Sequence, residues 1–219
     1  MATHNRISST ISEKRDAIIE QAIRTFSECG YRDTDVQVIA DRAGVGKGTV
    51  YRYFRSKEDL FWATSLEVIQ RMGQCVFEAM EGVDGACAKI RAAAVAHGQF
   101  FETNPHCLEL TIQERAEFCG SGPESQREQH DILISRMGEV IQQGIESGEL
   151  RPVDPRQTTL AMGCLLYGTA VLGGYLKSVA FGQLAEYAID IFLQGIRSEP
   201  SSSTGTEKFS SQPNGRLTT

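Results

Sequence analysis

Proline is scarce: six occur in 219 residues, and none lies between Met1 and Asn104. Nothing in that half interrupts a helix by removing a backbone donor. No run of four to eight residues alternates apolar and polar as a half-buried strand would, which excludes a sheet protein. The six cysteines are all at least twelve residues apart, with no C-x-x-C and no Cys/His cluster at zinc spacing, so no metal site is expected. They read as reduced, buried small hydrophobes, with a redox-sensing thiol as the other reading. The start, MATHNRISSTISEKRD, has no apolar stretch of a secretory signal, so a cytoplasmic location is expected. G-x-S-x-G, H-E-x-x-H, the phosphate-binding loop and the dinucleotide fingerprint are all missing. Glu114 and Glu117 share a helix face, but no His or Cys joins them at motif spacing. No catalytic residue and no cofactor is therefore expected, and an enzyme is the disfavoured reading.

A charge excess of the basic sign is also missing. The net charge of −6 excludes a uniformly basic coat on nucleic acid, though not a local basic face. Residues 1–62 carry ten Lys/Arg against nine Asp/Glu, whereas residues 63–219 carry twelve against nineteen. Charge is absent altogether from QTTLAMGCLLYGTAVLGGYL, the 20 residues between Arg156 and Lys177. That length matches a bilayer span. Its four Gly, three Thr and one Gln instead favour a buried core or interface helix, and no membrane partner is expected.

What is present is helical periodicity. Ile18, Ala22 and Phe26 form one stripe, opened by Ser12 as N-cap and closed by Gly30. Thr34 or Asp35 caps a short helix from Val36 to about Ala43, Gly44-Val45-Gly46 breaks it, and another runs from Lys47 to about Tyr53. Helices follow over about 57–80, 86–103, 107–118, 124–147, up to Leu176, and 183–197. The fold class is all-α with about nine helices. The expected organisation is a flexible N-terminus over 1–11, a helix-turn-helix domain over 12–56, a helical effector-binding and dimerisation domain over 57–197, and a disordered tail over 198–219. That tail holds six Ser and four Thr in 22 residues.

The segment Thr34–Tyr53 has helix-turn-helix spacing. Val36, Ile39, Ala40, Ala43, Val45 and Val50 face inward, and Ala40 and Gly44 are small where the helices cross. Lys47, Gly48, Thr49, Tyr51, Arg52 and Tyr53 face outward and are mostly donors. Lys57 opens the next helix, whose free N–H groups favour an anion. A single helix fits the DNA major groove, with its N-terminal residues at base edges and its flanking donors on phosphates. Gly48 lets backbone approach the duplex. Phe54 reads as packing, and Tyr53 as packing or phosphate contact. Arg32, Arg42 and Arg55 read as surface or supporting charges.

The run KRDAIIEQAIRTFSECGYRDTDVQVIADRAGVGKGTVYRYFRSKEDL, Lys14–Leu60, resembles the DNA-binding domain of the TetR/AcrR family of bacterial transcriptional regulators. The resemblance implies a two-fold dimer on a palindromic operator, usually a repressor, released when a small molecule enters the C-terminal domain. An activator or a ligand-independent DNA binder is the alternative. By position it implies base contacts for Lys47, Gly48, Arg52 and Gln37. It implies phosphate contacts for Thr49, Tyr51, Tyr53 and Lys57, and a cap or phosphate donor at Thr34. The chain departs from the commoner pattern at Asp35-Val36, where Ser or Thr is usual. A cap explains Asp35 better than a DNA contact, since a phosphate would repel it.

The last two helices are the expected dimer interface, building a four-helix bundle with the partner. Its residues are Leu160, Gly163, Gly168, Val171, Leu172, Leu184, Ala188, Ile191 and Phe192. For an unidentified small-molecule effector, His97, Phe100, Phe101, Arg115, Phe118, Met137 and Tyr167 are the candidate pocket residues. The other histidines, His106 and His130, read as structural or exposed.

Overall fold

The structure, a computed structural model, describes residues 2–176 and 181–198, with side chains described for 13–173 and 182–198. The expected tail lies outside the described residues but for Ser198. Among the described residues there are nine helices: α1 (Ala2–Asp33), α2 (Val36–Arg42), α3 (Lys47–Tyr53), α4 (Lys57–Glu78), α5 (Ala86–Thr103), α6 (Pro105–Phe118), α7 (Glu124–Glu146), α8 (Pro155–Leu176) and α9 (Phe181–Ile196). One antiparallel bridge, Leu150 to Arg197, ties the α7–α8 link to the end of α9.

Two local expectations change. α1 already begins at Ala2, so Ser12 lies inside it rather than capping it. Pro105 opens α6 as well as closing α5, because the first helical position needs no N–H. Gly30 breaks the regular helix as expected, at φ 80° and ψ 159°. That is a left-handed φ which a side chain resists.

Two core clusters hold the molecule. The first joins Ile18, Ile19, Ala22 and Phe26 of α1 to Val36, Ile39 and Ala40 of α2, Val50 and Phe54, and Leu60 and Phe61 of α4. It does not stop at residue 56. It continues into Phe100 and Phe101 of α5, Leu108 and Leu110 of α6, and Ala170 of α8. The second gathers Val76 of α4 with Ile90, Met137, Ile141, Met162, Leu166, Ile189 and Leu193 from α5, α7, α8 and α9. The 22-residue α4 thus has its first half in one core and its end in the other.

Polar ties reinforce the α1–α6 and α1–α4 seams. Arg32 Nε lies 2.7 Å from Glu117 Oε2, and Ser27 Oγ lies 2.7 Å from His106 Nδ1. Arg71 of α4 pairs with Glu20 of α1 and with Glu67. No described helix is long and apolar enough to cross a membrane, α8 included.

The cysteines depart from the expected buried set. Only Cys87 and Cys107 are buried; Cys29, Cys75, Cys119 and Cys164 are exposed, and all six are free thiols. Burial pushes the Cys107 thiol up to about 11.

Candidate nucleic-acid interface

The interface is built by anchoring one face of each short helix and leaving the other bare. Asp35 is the N-cap of α2, its Oδ1 accepting the Gln37 N–H at 2.8 Å. This resolves the choice between Thr34 and Asp35. Val36, Ile39 and Ala40 are buried, fixing α2 on the core. The chain then turns through Ala43–Gly46, where Val45 N–H donates to the Ala40 carbonyl at 3.0 Å. Gly44 sits at φ 66°, and a Cβ there would meet nothing within 4 Å. Its glycine is thus required by the backbone angle, not by the close helix crossing expected from sequence. Ala40, wholly buried, is the small residue at the crossing.

In α3 a single inward residue, Val50 at 1% exposure, locks the helix, and Phe54 at 3% exposure closes its end. Arg15 of α1 lies over the Phe54 ring, 5.7 Å from its centroid, so Phe54 packs α3 against α1 as expected. Gly48, Tyr51 and Arg52 are exposed, and Lys47 and Thr49 are half-buried. A Cβ on Gly48 would also meet nothing within 4 Å. Nothing inside the chain demands a glycine at that position, which leaves its backbone open to an outside surface. Tyr53 is partly buried against the first core, with the Arg52 guanidinium 5.6 Å from its ring centroid.

Several expected contact residues hold internal partners. Lys47 Nζ is 3.0 Å from Asp35 Oδ1. The hydrogen bond with Asp35 raises the Lys47 pKa, and the Gln37 N–H and then Lys47 lower that of Asp35. Gln37 donates to Asp41 Oδ1 at 2.7 Å. Lys57 Nζ donates to the Arg32 carbonyl at 2.8 Å and lies 5.0 Å from the Tyr31 ring centroid, closing the end of α1. Thr34 is a correction. It is 4% exposed and its hydroxyl donates to the Gly30 carbonyl at 2.6 Å, so it is a satisfied structural residue, not a phosphate donor. Around this face Arg42 pairs with Glu28 at 2.7 Å, lowering the Glu28 pKa, and Arg55 with Asp59 at 3.7 Å. Sequence reasoning missed the Asp35–Lys47 pair, because no helical spacing links positions on either side of a turn.

α8 and α9 each bury one apolar stripe and expose another. Met162, Leu166 and Ala170 point inward, as do Ala185, Ile189 and Leu193. Leu160, Leu172, Tyr187 and Ile191 point outward, with Leu172 58% and Ile191 55% exposed. A Cβ on Gly163 or Gly168 would meet nothing within 4 Å. Leu184 and Ala188 are half-buried, while Val171 and Phe192 lean on the first and second cores. Tyr187 was not singled out from sequence, although it falls at the same helical spacing as Ile191.

The expected pocket residues are brought together only in part. Arg115 is exposed, Phe118 packs tilted against Trp62 at 4.6 Å between centroids, Met137 lies in the second core, and Tyr167 is half-buried. His97, Phe100 and Phe101 do cluster, with ring centroids 5.1 Å (His97–Phe101) and 5.2 Å (Phe100–Phe101) apart. Burial lowers the His97 pKa to about 4, and its Nδ1 has no hydrogen-bond partner among the described residues. A surface depression of about 410 Å³ along α5 is lined by Arg91, Val95 and Gln99 among others, with Ala79 just past the end of α4, and by none of the expected set.

A short helix fixed by one buried valine, with bare backbone and donors outward, defines a helix-turn-helix DNA-binding regulator. Residues 18–64 match the model of bacterial regulatory proteins of the tetR family. An uncharacterized HTH-type transcriptional regulator, YhgD of Bacillus subtilis (strain 168), is 32% identical over 152 residues, 68% of this chain and 78% of the relative. The fatty acid metabolism regulator protein of the same organism is 32% identical over 139 residues, 61% of this chain and 69% of the relative. Among solved structures, FadR from Bacillus subtilis in complex with stearoyl-CoA matches with a TM-score of 0.72 at 21% identity, over 83% of this chain and 98% of that one. At that identity the likeness is one of fold. The chain belongs to the TetR family of transcriptional regulators, and it is not an enzyme.

Proposed function

We propose that the protein is a homodimeric repressor that reads a palindromic operator with α3 and leaves it when a small molecule enters the α4–α8 body. The carrying observation is the division of α3: Val50 buried at 1% exposure, with Gly48, Tyr51 and Arg52 outward. Arg52 and Lys47 take base edges, with Gly48 giving close backbone approach. Gln37 and Thr49 flank them, and Tyr51, Tyr53 and Lys57 hold phosphates. Gln37 and Lys57 must exchange internal partners for DNA, while Lys47, with three N–H donors, keeps Asp35 and still donates outward.

Dimerisation rests on the outward stripe of Leu160, Leu172, Tyr187 and Ile191, with Gly163 and Gly168 allowing close helix approach. Exposed apolar area of this kind favours a partner surface. Two copies place two α3 helices on one DNA face, about 34 Å apart, one turn of the duplex. A dimer seated on a promoter blocks transcription by occupancy, in the cytoplasm where bacterial DNA lies.

For the effector, His97, Phe100 and Phe101 form one largely apolar wall in which the His97 Nδ1 is left without a partner among the described residues. Similarity to a fatty acid metabolism regulator, and the fold shared with a regulator solved with stearoyl-CoA, make a long-chain acyl thioester the first probe. The test is selection of bound duplexes from random DNA, then titration of the selected duplex with and without stearoyl-CoA. Enrichment of an inverted repeat supports the reading, and recovery of no common sequence refutes it.

A further inference from the structure

The DNA face carries one carboxylate that the fold aims at a lysine instead of leaving to solvent. Asp35 Oδ1 accepts two hydrogen bonds, from the Gln37 N–H at 2.8 Å and from Lys47 Nζ at 3.0 Å. The same oxygen therefore fixes the start of α2 and the first side chain of α3, across the turn between them. Both partners are substantially exposed, Lys47 at 41% and Asp35 at 62% of their side chains, so burial does not force the pair together. Lys57 lies close enough to add to the favourable field at Asp35. The capping role alone does not need a charge, because Asn and Ser cap as well as Asp. The carboxylate must do something the cap does not.

We propose that Asp35 is a specificity-determining residue, whose carboxylate orients Lys47 on the outer face of α3 and offsets its charge where the helix meets DNA. This rests on the reading of α3 as the DNA-facing helix. An untethered lysine there binds any phosphate, adding affinity to every sequence alike. A lysine held by Asp35 loses that indiscriminate gain and keeps one direction of approach. The carboxylate also repels a duplex in which Lys47 is not matched to a base-edge acceptor, so wrong sequences are penalised more than the right one. Specificity is thereby raised at a cost in total affinity.

The test uses the full chain and four variants, Asp35→Asn, Asp35→Ala, Lys47→Met and the Asp35→Asn/Lys47→Met double variant. Each is titrated on its selected duplex and on a scrambled duplex over a range of salt. Asp35→Asn keeps the cap, so its melting temperature should stay near that of the wild type, while Asp35→Ala should melt lower. With Asp35→Asn, binding to scrambled DNA should tighten by about tenfold at low salt. The ratio of specific to scrambled affinity should shrink, and the slope of log K against log salt should steepen by about 0.9, as for one added cation. In the Lys47→Met background the Asn substitution should change the ratio far less. If the wild type discriminates sequences and Asp35→Asn leaves ratio and slope unchanged at unchanged melting temperature, this inference alone fails. If the wild type discriminates no sequence, the reading of α3 fails and takes this one with it.

Discussion

The N-terminal three helices and the larger helical body both satisfy their buried hydroxyls, Thr64 of α4 donating to the Leu60 carbonyl at 2.6 Å, but differ in their other buried polar groups. In the first, the buried hydroxyls are satisfied: Thr25 donates to the Gln21 carbonyl at 2.7 Å and Thr34 to Gly30 at 2.6 Å. In the body, His97 Nδ1, Gln113 Oε1 and Gln126 Oε1 are buried without a partner among the described residues. Gln126 reaches Ser65 Oγ at 2.8 Å with its amide nitrogen, beside Glu114, but its oxygen is left over. The apolar side shows the same contrast. The short helices expose only Val38 and Tyr51 among large apolar residues, whereas α8 and α9 expose Leu160, Leu172, Tyr187 and Ile191. The N-terminal helices present one rigid helix, seated on a core they share with α5, α6 and α8. On the proposed reading, the exposed apolar stripe of the body is left for a second chain and the unpartnered His97 nitrogen for a ligand.

The contrast breaks most visibly at α8 and α9. Leu172→Glu with Ile191→Glu places charges on side chains that are exposed within one chain, so the monomer should fold. Sedimentation should show half the mass, and operator affinity should fall by about 10²–10⁴-fold, as the two half-sites cease to act together. An intact dimer would remove these helices from the interface.

Next in size is a pH effect in the body. The folded His97 imidazole titrates near 4, below the ordinary 6.5, because burial disfavours its charged form. The unfolded chain therefore binds more protons between these values. Stability should be intact above about pH 6.5 and fall toward pH 4, by at most about 1.4 kcal/mol per pH unit. Chemical denaturation across that range should show the slope, and His97→Phe should flatten it. A wild type with no such slope would mean that His97 is not sealed.

On the DNA face the effects are smaller but selective. Arg52→Ala should cost ~1–3 kcal/mol on the selected duplex and relax preference at one base position. Unchanged affinity and preference would exclude Arg52 from base reading. Lys57→Met should weaken all duplexes alike and lower the salt slope by about 0.9, without altering preference. Loss of preference would make Lys57 a base reader instead.

Much of this was legible in the sequence wherever a signal is local. Helical periodicity set α4, α5, α7 and α9 to within about two residues, and Gly30 and Gly44 marked chain reversals because positive φ selects glycine. The inward set of α2 and α3 followed from spacing alone. What spacing does not encode is which element a side chain meets. Thr34 reads as a donor until Gly30 and the burial around it are placed. Arg115 reads as a pocket residue, yet it is exposed, and its neighbours Glu114 and Glu117 take contacts with Ser65 and Arg32 respectively. The pocket set divides for the same reason: His97, Phe100 and Phe101 cluster, while Phe118 and Met137 belong to different cores.

The most direct measurement is binding of the full-length protein to its selected duplex and to a scrambled duplex at physiological salt. The account predicts at least about 10³-fold tighter binding to the selected sequence, with two chains per duplex. Equal affinity for both, persisting at low salt, would contradict it.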